Sequence, residues 1–203
     1  MRKIFSHIAT LILIAGTLYS CKTSQYLQED ERLYKGGELK IREAERSKYK
    51  KEILKDLEEV NKPKPNENIA GLRLGLWAHQ KVENDKAGFY AKWVNKKIGE
   101  KPVLLGKVNT NNVQKLMKNR MENLGYFDSR IEYEIIENKN TGIIKYDIIT
   151  GNRLHIDSIY FQEVGEKKVD SLINNYLQKE KPIEKGDPFS LQKLKSSRTA
   201  IAE

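Results

Sequence analysis

The sequence predicts an α+β fold: a strand-helix-helix-strand-strand order with a helical insertion, followed by an incomplete second unit of the same kind. Three observations carry this. Between residues 130 and 148, two runs of alternating apolar and polar residues flank a turn-forming segment. Before and after them lie segments whose apolar residues recur every three or four positions. After Gly151-Asn152 a similar order of elements begins afresh.

At the amino terminus, Met1-Arg2-Lys3 precedes a mostly apolar stretch from Ile4 to Leu18, and Tyr19-Ser20 leads to Cys21, the sole cysteine. A charged region, an apolar region and a small residue before a cut make a secretory signal. The run from Ala9 to Leu18 is about half of the ~20 apolar residues that a membrane span needs. Residues 1–20 are therefore expected to be removed rather than kept as a transmembrane helix. Leu18 and Ser20, three and one residues before Cys21, resemble a lipobox, with Tyr19 standing where that signal usually has a small residue. The resemblance implies acylation of Cys21 and a mature protein held on a membrane. The competing reading is an ordinary signal with an incidental cysteine.

The hydrophobic fraction is 38% and the charged fraction 32%, with a formal charge of +9 that falls to +7 if Arg2 and Lys3 leave with the signal. The basic residues are interleaved with acids, as in Arg42-Glu43-Ala44-Glu45-Arg46, and form no aromatic-studded stripe. They read as solvated helix faces, so nucleic acid is not an expected partner. One cysteine excludes a disulfide framework among residues of this chain.

Residues 21–33 are polar and irregular, a tether. Leu39 and Ile41 alternate with Lys40 and Arg42 as a short strand. From 43 to 60, Tyr49, Ile53, Leu57 and Val60 make one face of an amphipathic helix, stopped by Pro63 and Pro65. Residues 66–105 form the insertion. Its Leu72, Leu74, Leu76, Trp77 and Val82 fit a strand or a buried helix, with helix preferred, and Tyr90, Trp93, Val94 and Ile98 follow helical spacing up to a Gly99 cap. Asn109 or Thr110 caps the next helix, in which Val113, Leu116, Met117, Arg120 and Leu124 share a face and Gly125 ends it. In 130–136, Ile131, Tyr133 and Ile135 point one way and Arg130, Glu132 and Glu134 the other, a half-buried strand. The turn at 138–142 returns the chain as a second strand on Ile144, Tyr146 and Ile148. Leu154, Ile156, Ile159 and Phe161 suggest a strand with a bulge. Val169, Leu172, Ile173, Tyr176 and Leu177 mark a helix, and Ser190 caps a last one.

Strand-helix-helix-strand-strand is the order of a POTRA domain, the periplasmic module of the BamA and TamA superfamily. Leu124-Gly125-Tyr126-Phe127 resembles the helix-ending Gly-Tyr-Phe that leads into the second POTRA strand. Gly125 permits a left-handed cap, and the aromatics after it can cover the end of the core. Cys21 with Tyr26-Leu27, Lys64-Pro65-Asn66, Leu72-Arg73-Leu74, Leu76-Trp77, Lys92-Trp93 and Ile98-Gly99-Glu100-Lys101-Pro102-Val103 are similar to the Bacteroidetes TamL lipoproteins of that superfamily. The resemblance implies a POTRA-like domain over 34–151 and a truncated second one over 152–203. It also implies a carboxy-terminal barrel in full-length relatives, so an amino-terminal fragment is expected here.

As a member of that superfamily the chain would sit at the outer membrane, its folded part in the periplasm, and bind unfolded outer membrane proteins or other envelope assembly components without catalysis. The usual POTRA arrangement puts Arg130, Ile131, Glu132, Tyr133, Glu134, Ile135 and Ile136 on an exposed edge that an extended client can join. A proline at Glu132 would test that edge; the alternative is an edge covered by the insertion. An enzyme finds little support: His79 and His155 lack metal-ligand spacing, and no nucleophile-base arrangement or phosphate loop stands out. No cofactor is expected. A third reading is a membrane-anchored adaptor that binds another envelope protein or lipid head groups through Trp77, Phe89, Tyr90 and Trp93, although at helical spacing such aromatics more often belong to a core.

Overall fold

A computed structural model describes residues 27–42, 49–69, 72–83, 86–160 and 165–202. The signal segment, Cys21 and the start of the tether lie outside the described residues, as do 43–48 of the first predicted helix and Phe161. The fold is α+β. Strand β1 (Leu33–Arg42) is followed by α1 (Lys50–Val60), α2 (Leu74–Glu83), α3 (Phe89–Ile98), a single 3-10 turn (Leu105–Lys107) and α4 (Thr110–Asn123). Strands β2 (Arg130–Glu137) and β3 (Thr141–Ile149) come next, then α5 (Lys167–Glu180) and α6 (Leu191–Ala202). With α2 and α3 set aside, the order up to β3 is β-α-α-β-β, compatible with the predicted unit.

The strands form a mixed sheet in the order β1-β3-β2. The central strand β3 buries Ile144, Tyr146 and Ile148 completely on one face, as its alternation predicts, while Lys145 faces water. Strand β1 begins beside the beginning of β3, where the Leu33 N–H donates to the Asn140 carbonyl at 3.0 Å. It ends beside the end of β3, where the Arg42 guanidinium grips Asp147. The two strands therefore run parallel. β1 is also longer than the Leu39 and Ile41 pair suggests: it starts at Leu33, inside the predicted tether, and Leu33 and Tyr34 are its buried residues. Burial pushes the Tyr34 hydroxyl up to about 12.

The chain groups into two compact units. The first holds the described residues of Met1–Glu38, Pro63–Val108 and Glu134–Lys145. Here the Tyr34 N–H donates to Val103 and the Leu105 N–H to Arg32, both at 2.8 Å. The buried Asn66 amide donates to the Glu100 carboxylate (3.0 Å) and the Lys101 carbonyl (2.8 Å) and accepts from the Val103 N–H (2.9 Å), so one side chain fastens the two ends of the inserted region. Residues 74–83 are helical, as preferred, and α2 packs on α3. Gly75 permits that approach, since a β-carbon there would stand 2.2 Å from the Ile98 carbonyl oxygen. Gly99 follows α3 but is not left-handed: φ is −61°. Its lack of a side chain serves instead to admit the Asn95 carbonyl and amide oxygens, 2.4 and 2.0 Å from where a β-carbon would be.

The second unit holds the described residues of Leu39–Lys62, Asn109–Tyr133 and Tyr146–Glu203. Ile53 and Leu57 of α1 are buried, and α1 packs on α4, whose N-cap Asn109 accepts the Asn112 N–H at 3.0 Å. The buried face of α4 runs through Thr110, Val113, Met117 and Met121 to Leu124. Leu116 and Arg120, expected on that face, lie off it: Leu116 is exposed and Arg120 reaches toward Glu59. Steps of three, four, four and three from Thr110 trace Val113, Met117, Met121 and Leu124, and Leu116, one residue before Met117, is turned off this stripe.

The strand expected over 154–161 does not form among the described residues. Leu154 and Ile156 exchange only a short set of bonds with Gly186, Asp187 and Phe189 around one isolated bridge between His155 and Pro188, and Ile159 is half exposed. An extended segment becomes a strand only where a partner offers a ladder, and no described strand lies beside it. α5 forms as its spacing predicts, yet Val169, Ile173, Tyr176 and Leu177 are only half-buried and Leu172 is exposed. Ser190 caps α6, its hydroxyl accepting the Lys193 N–H at 3.3 Å.

Candidate functional site

Strand β2, which carries the whole predicted binding segment 130–136, lies at an edge of the sheet. Its register follows from two contacts. The Asn138 N–H donates to the Thr141 carbonyl at 2.7 Å across the turn, and the Tyr133 ring lies 6.3 Å from that of Tyr146. Pairing 138 with 141 makes 133 oppose 146, in agreement with the rings, and makes the even-numbered residues of β2 the ones that bond to β3. Backbone N–H and C=O groups of the odd-numbered residues then point outward, into the edge.

Helix α4 covers the start of this edge. Gln114 donates its side-chain amide to the Ile131 carbonyl, and the Lys118 ammonium bonds the Phe127 and Ser129 carbonyls, the latter at 2.8 Å. Every one of these acceptors belongs to an odd-numbered residue, as the register requires. Beside them a cavity of about 400 Å³ is lined by Gln114, Lys115, Lys118, Asn119 and Ile131. Among the described residues, no α4 side chain donates to the outward backbone carbonyls of Tyr133 or Ile135.

The side chains of β2 differ from the half-buried strand expected. Ile131 is buried, but Tyr133 is 37% and Ile135 46% exposed. Tyr133 is held by its hydroxyl, which donates to Asn111 at 3.0 Å. Arg130, Glu132 and Glu134 face water, as predicted for the other face, on which Ile136 is half-buried, and Glu137, at the end of the Tyr133 and Ile135 face, is exposed as well. Glu137 pairs with Arg32 at 3.0 Å. The edge thus combines two partly exposed apolar side chains with a charged outer face, and charges of that kind oppose indiscriminate strand pairing.

The motif after α4 takes the predicted conformation. Gly125 has φ +92°, Tyr126 is buried, and Phe127, partly exposed, meets Phe189 edge-on at 5.4 Å between ring centres. The residue that organises this region was not visible in the sequence. Arg153 is buried, with its Nε donating to the Leu124 carbonyl (2.8 Å), its Nη atoms to Glu52 (3.2 Å) and the Phe189 carbonyl (3.3 Å), and its plane over the Tyr49 ring at 4.5 Å. No periodicity marks it. Gln114 and Lys118, four residues apart on a polar helix face, likewise carry no signal that separates them from solvated neighbours.

His79 lies 3.7 Å from Glu83 on its own helix, and His155 is exposed. Among the described residues no group of three or more His, Cys, Asp or Glu is placed to hold a metal ion, and no helix is long and apolar enough to cross a membrane. The insertion aromatics, for which a core position was the more ordinary expectation, are on the surface. Phe89 is 88%, Tyr90 64% and Trp93 53% exposed, while Trp77 is half-buried. They do so because α3 meets α2 through its small residues, burying Ala91 and Val94. Comparison with family models, with curated proteins and with solved structures finds no match to this chain.

Proposed function

We propose that this chain is the periplasmic, POTRA-type portion of an outer membrane assembly factor, lipid-anchored through Cys21, that binds extended segments of unfolded outer membrane proteins along β2 without catalysis. The observation that carries the reading is the outward backbone of Tyr133, Ile135 and Glu137 at the sheet edge. An extended client adding there would gain main-chain hydrogen bonds at every second residue, and Tyr133 and Ile135 would offer it apolar contact. Recognition would then depend on client conformation more than on client sequence. The β-α-α-β-β order and the Leu124-Gly125-Tyr126-Phe127 ending support the same family reading.

The register decides how to test this. Glu132 is even-numbered, so a proline there would break the bond to β3 and damage the hairpin itself. Ile135 is odd-numbered, and Ile135→Pro removes an outward donor while leaving the ladder intact. Photo-cross-linking to an unfolded outer membrane protein is expected to fall at least tenfold in Ile135→Pro with the thermal unfolding midpoint nearly unchanged. Undiminished cross-linking in that variant would exclude this edge. For the anchor, labelled palmitate should enter the wild type and be lost in Cys21→Ser.

A second reading, an envelope adaptor without client binding, is favoured by the exposure of Phe89, Tyr90 and Trp93. Full client cross-linking in a Phe89→Ser/Trp93→Ser variant would separate the adaptor surface from the edge.

A further inference from the structure

We infer that α3 is a membrane-surface contact, an interfacial helix that lays its aromatic face and lysines onto an anionic lipid leaflet. The inference rests on α3 alone and is independent of what β2 binds. With each residue turning the helix by about 100°, Lys92, Lys96, Phe89, Trp93, Lys97 and Tyr90 fall in that order within roughly 160° of arc. All six are exposed. The opposite arc holds Ala91 and Val94, which are buried. The helix is therefore amphipathic in an inverted sense: its small residues face the protein and its large aromatics face outward.

The aromatic rings are organised before any partner arrives. Tyr90 and Trp93 stack with centroids 6.3 Å apart and an interplanar angle of 28°. Phe89, at 88% exposure, is nearly as open as a side chain can be. Exposed aromatics are costly in water unless something covers them, and the charges around them indicate what does. No residue of α3 is acidic; Lys92, Lys96 and Lys97 stand on it, and Lys86 is exposed just before it. Such a surface complements an anion and repels a second copy of itself.

The choice between an acidic protein and an anionic bilayer follows from residue type. Protein interfaces favour arginine and are depleted in lysine, whereas every cation here is lysine. Lysine suits a lipid surface: its stem lies along apolar matter while the ammonium stays among the phosphates. Trp and Tyr prefer the same depth, their rings at the headgroup level. Ten residues with three aromatics give a weak, reversible contact of the kind such helices make.

The chain holds two tryptophans, Trp77 and Trp93, so Trp77→Phe leaves Trp93 as a local reporter in the full chain. Vesicles of phosphatidylglycerol and phosphatidylcholine should shift Trp93 emission to the blue, and brominated acyl chains should quench it. Pure phosphatidylcholine vesicles should do neither. Lys92→Glu/Lys96→Glu/Lys97→Glu should weaken the response on the order of a hundredfold, from about fivefold per lysine. Because Phe89 is open to solvent, Phe89→Ser in the same background should preserve the fold and weaken the response as well. Three results would overturn the inference: Trp93 emission indifferent to anionic vesicles even where the chain co-sediments with them, an equal response to neutral vesicles unaffected by charge reversal, or a lipid-free shift that grows with protein concentration and reports self-association.

Discussion

Arg153 shows how one residue can join segments that the sequence leaves unrelated. Its guanidinium is almost inaccessible, while Glu52, the carboxylate it meets, is 44% exposed. The ion pair is therefore the lesser part of its value, since an accessible partner is screened. The greater part lies in the carbonyls of Leu124 and Phe189, which would lose a charged donor in a place that water reaches poorly. Arg153→Met is expected to cost about 2–4 kcal/mol in urea unfolding, and Glu52→Gln less than about 1 kcal/mol; equal costs would shift the weight back to the ion pair. Gly125 stands next to this site. At φ +92° a side chain is strained whatever the space, and its β-carbon would come within 3.0 Å of that of Phe189. Gly125→Ala should destabilise by about 1–3 kcal/mol on the same measurement.

Elements divide by whether their pattern competes with another reading. β3 was fully legible because Ile144, Tyr146 and Ile148 alternate and a central strand must bury one face. The α4 segment was legible as a helix but not in its face, because Leu116 is as apolar as Met117 and adjacent to it. Met117→Ala should cost about 2–5 kcal/mol and Leu116→Ala under about 1; the reverse ranking would contradict the buried stripe. The segment after Leu154 shows the limit of periodicity, since alternation describes a strand only when a neighbour supplies the ladder. For the candidate site, the sequence located the β2 segment, and the family resemblance its place at the edge. Which carbonyls α4 covers, and that odd-numbered residues carry the open backbone, depend on side chains from elsewhere in the fold. The aromatic helix α3 was misjudged for a comparable reason: spacing reports that residues share a face, and only packing reports which face turns inward.

Stability against pH is a property of the whole molecule, and here its carboxylates pull in two directions. Asp147 is held below the usual carboxylate range, first by its hydrogen bond with Arg42, and Asp187 likewise by its bond with Lys193. For both groups the folded state binds its proton less readily than the unfolded chain, so their contribution is complete above the ordinary value of 3.8 and fades as pH falls through the lower folded values. Asp56 is shifted upward, chiefly because burial disfavours its charge, with Arg120 opposing that shift. Its folded form takes up a proton before the unfolded chain does, so acidification through its raised value relieves a cost before the other two groups begin to lose theirs. Urea midpoints followed from pH 6 to pH 2 should therefore decline less steeply in wild type than in Asp56→Asn at the start of the titration. Below pH 3.8 the order should change: Asp147→Asn, already lacking the bond to Arg42, should lose less stability than wild type over the same interval. If all three profiles run parallel, neither the Arg42 pair nor the desolvation of Asp56 contributes to the acid response, and the decline belongs to carboxylates outside these two sites.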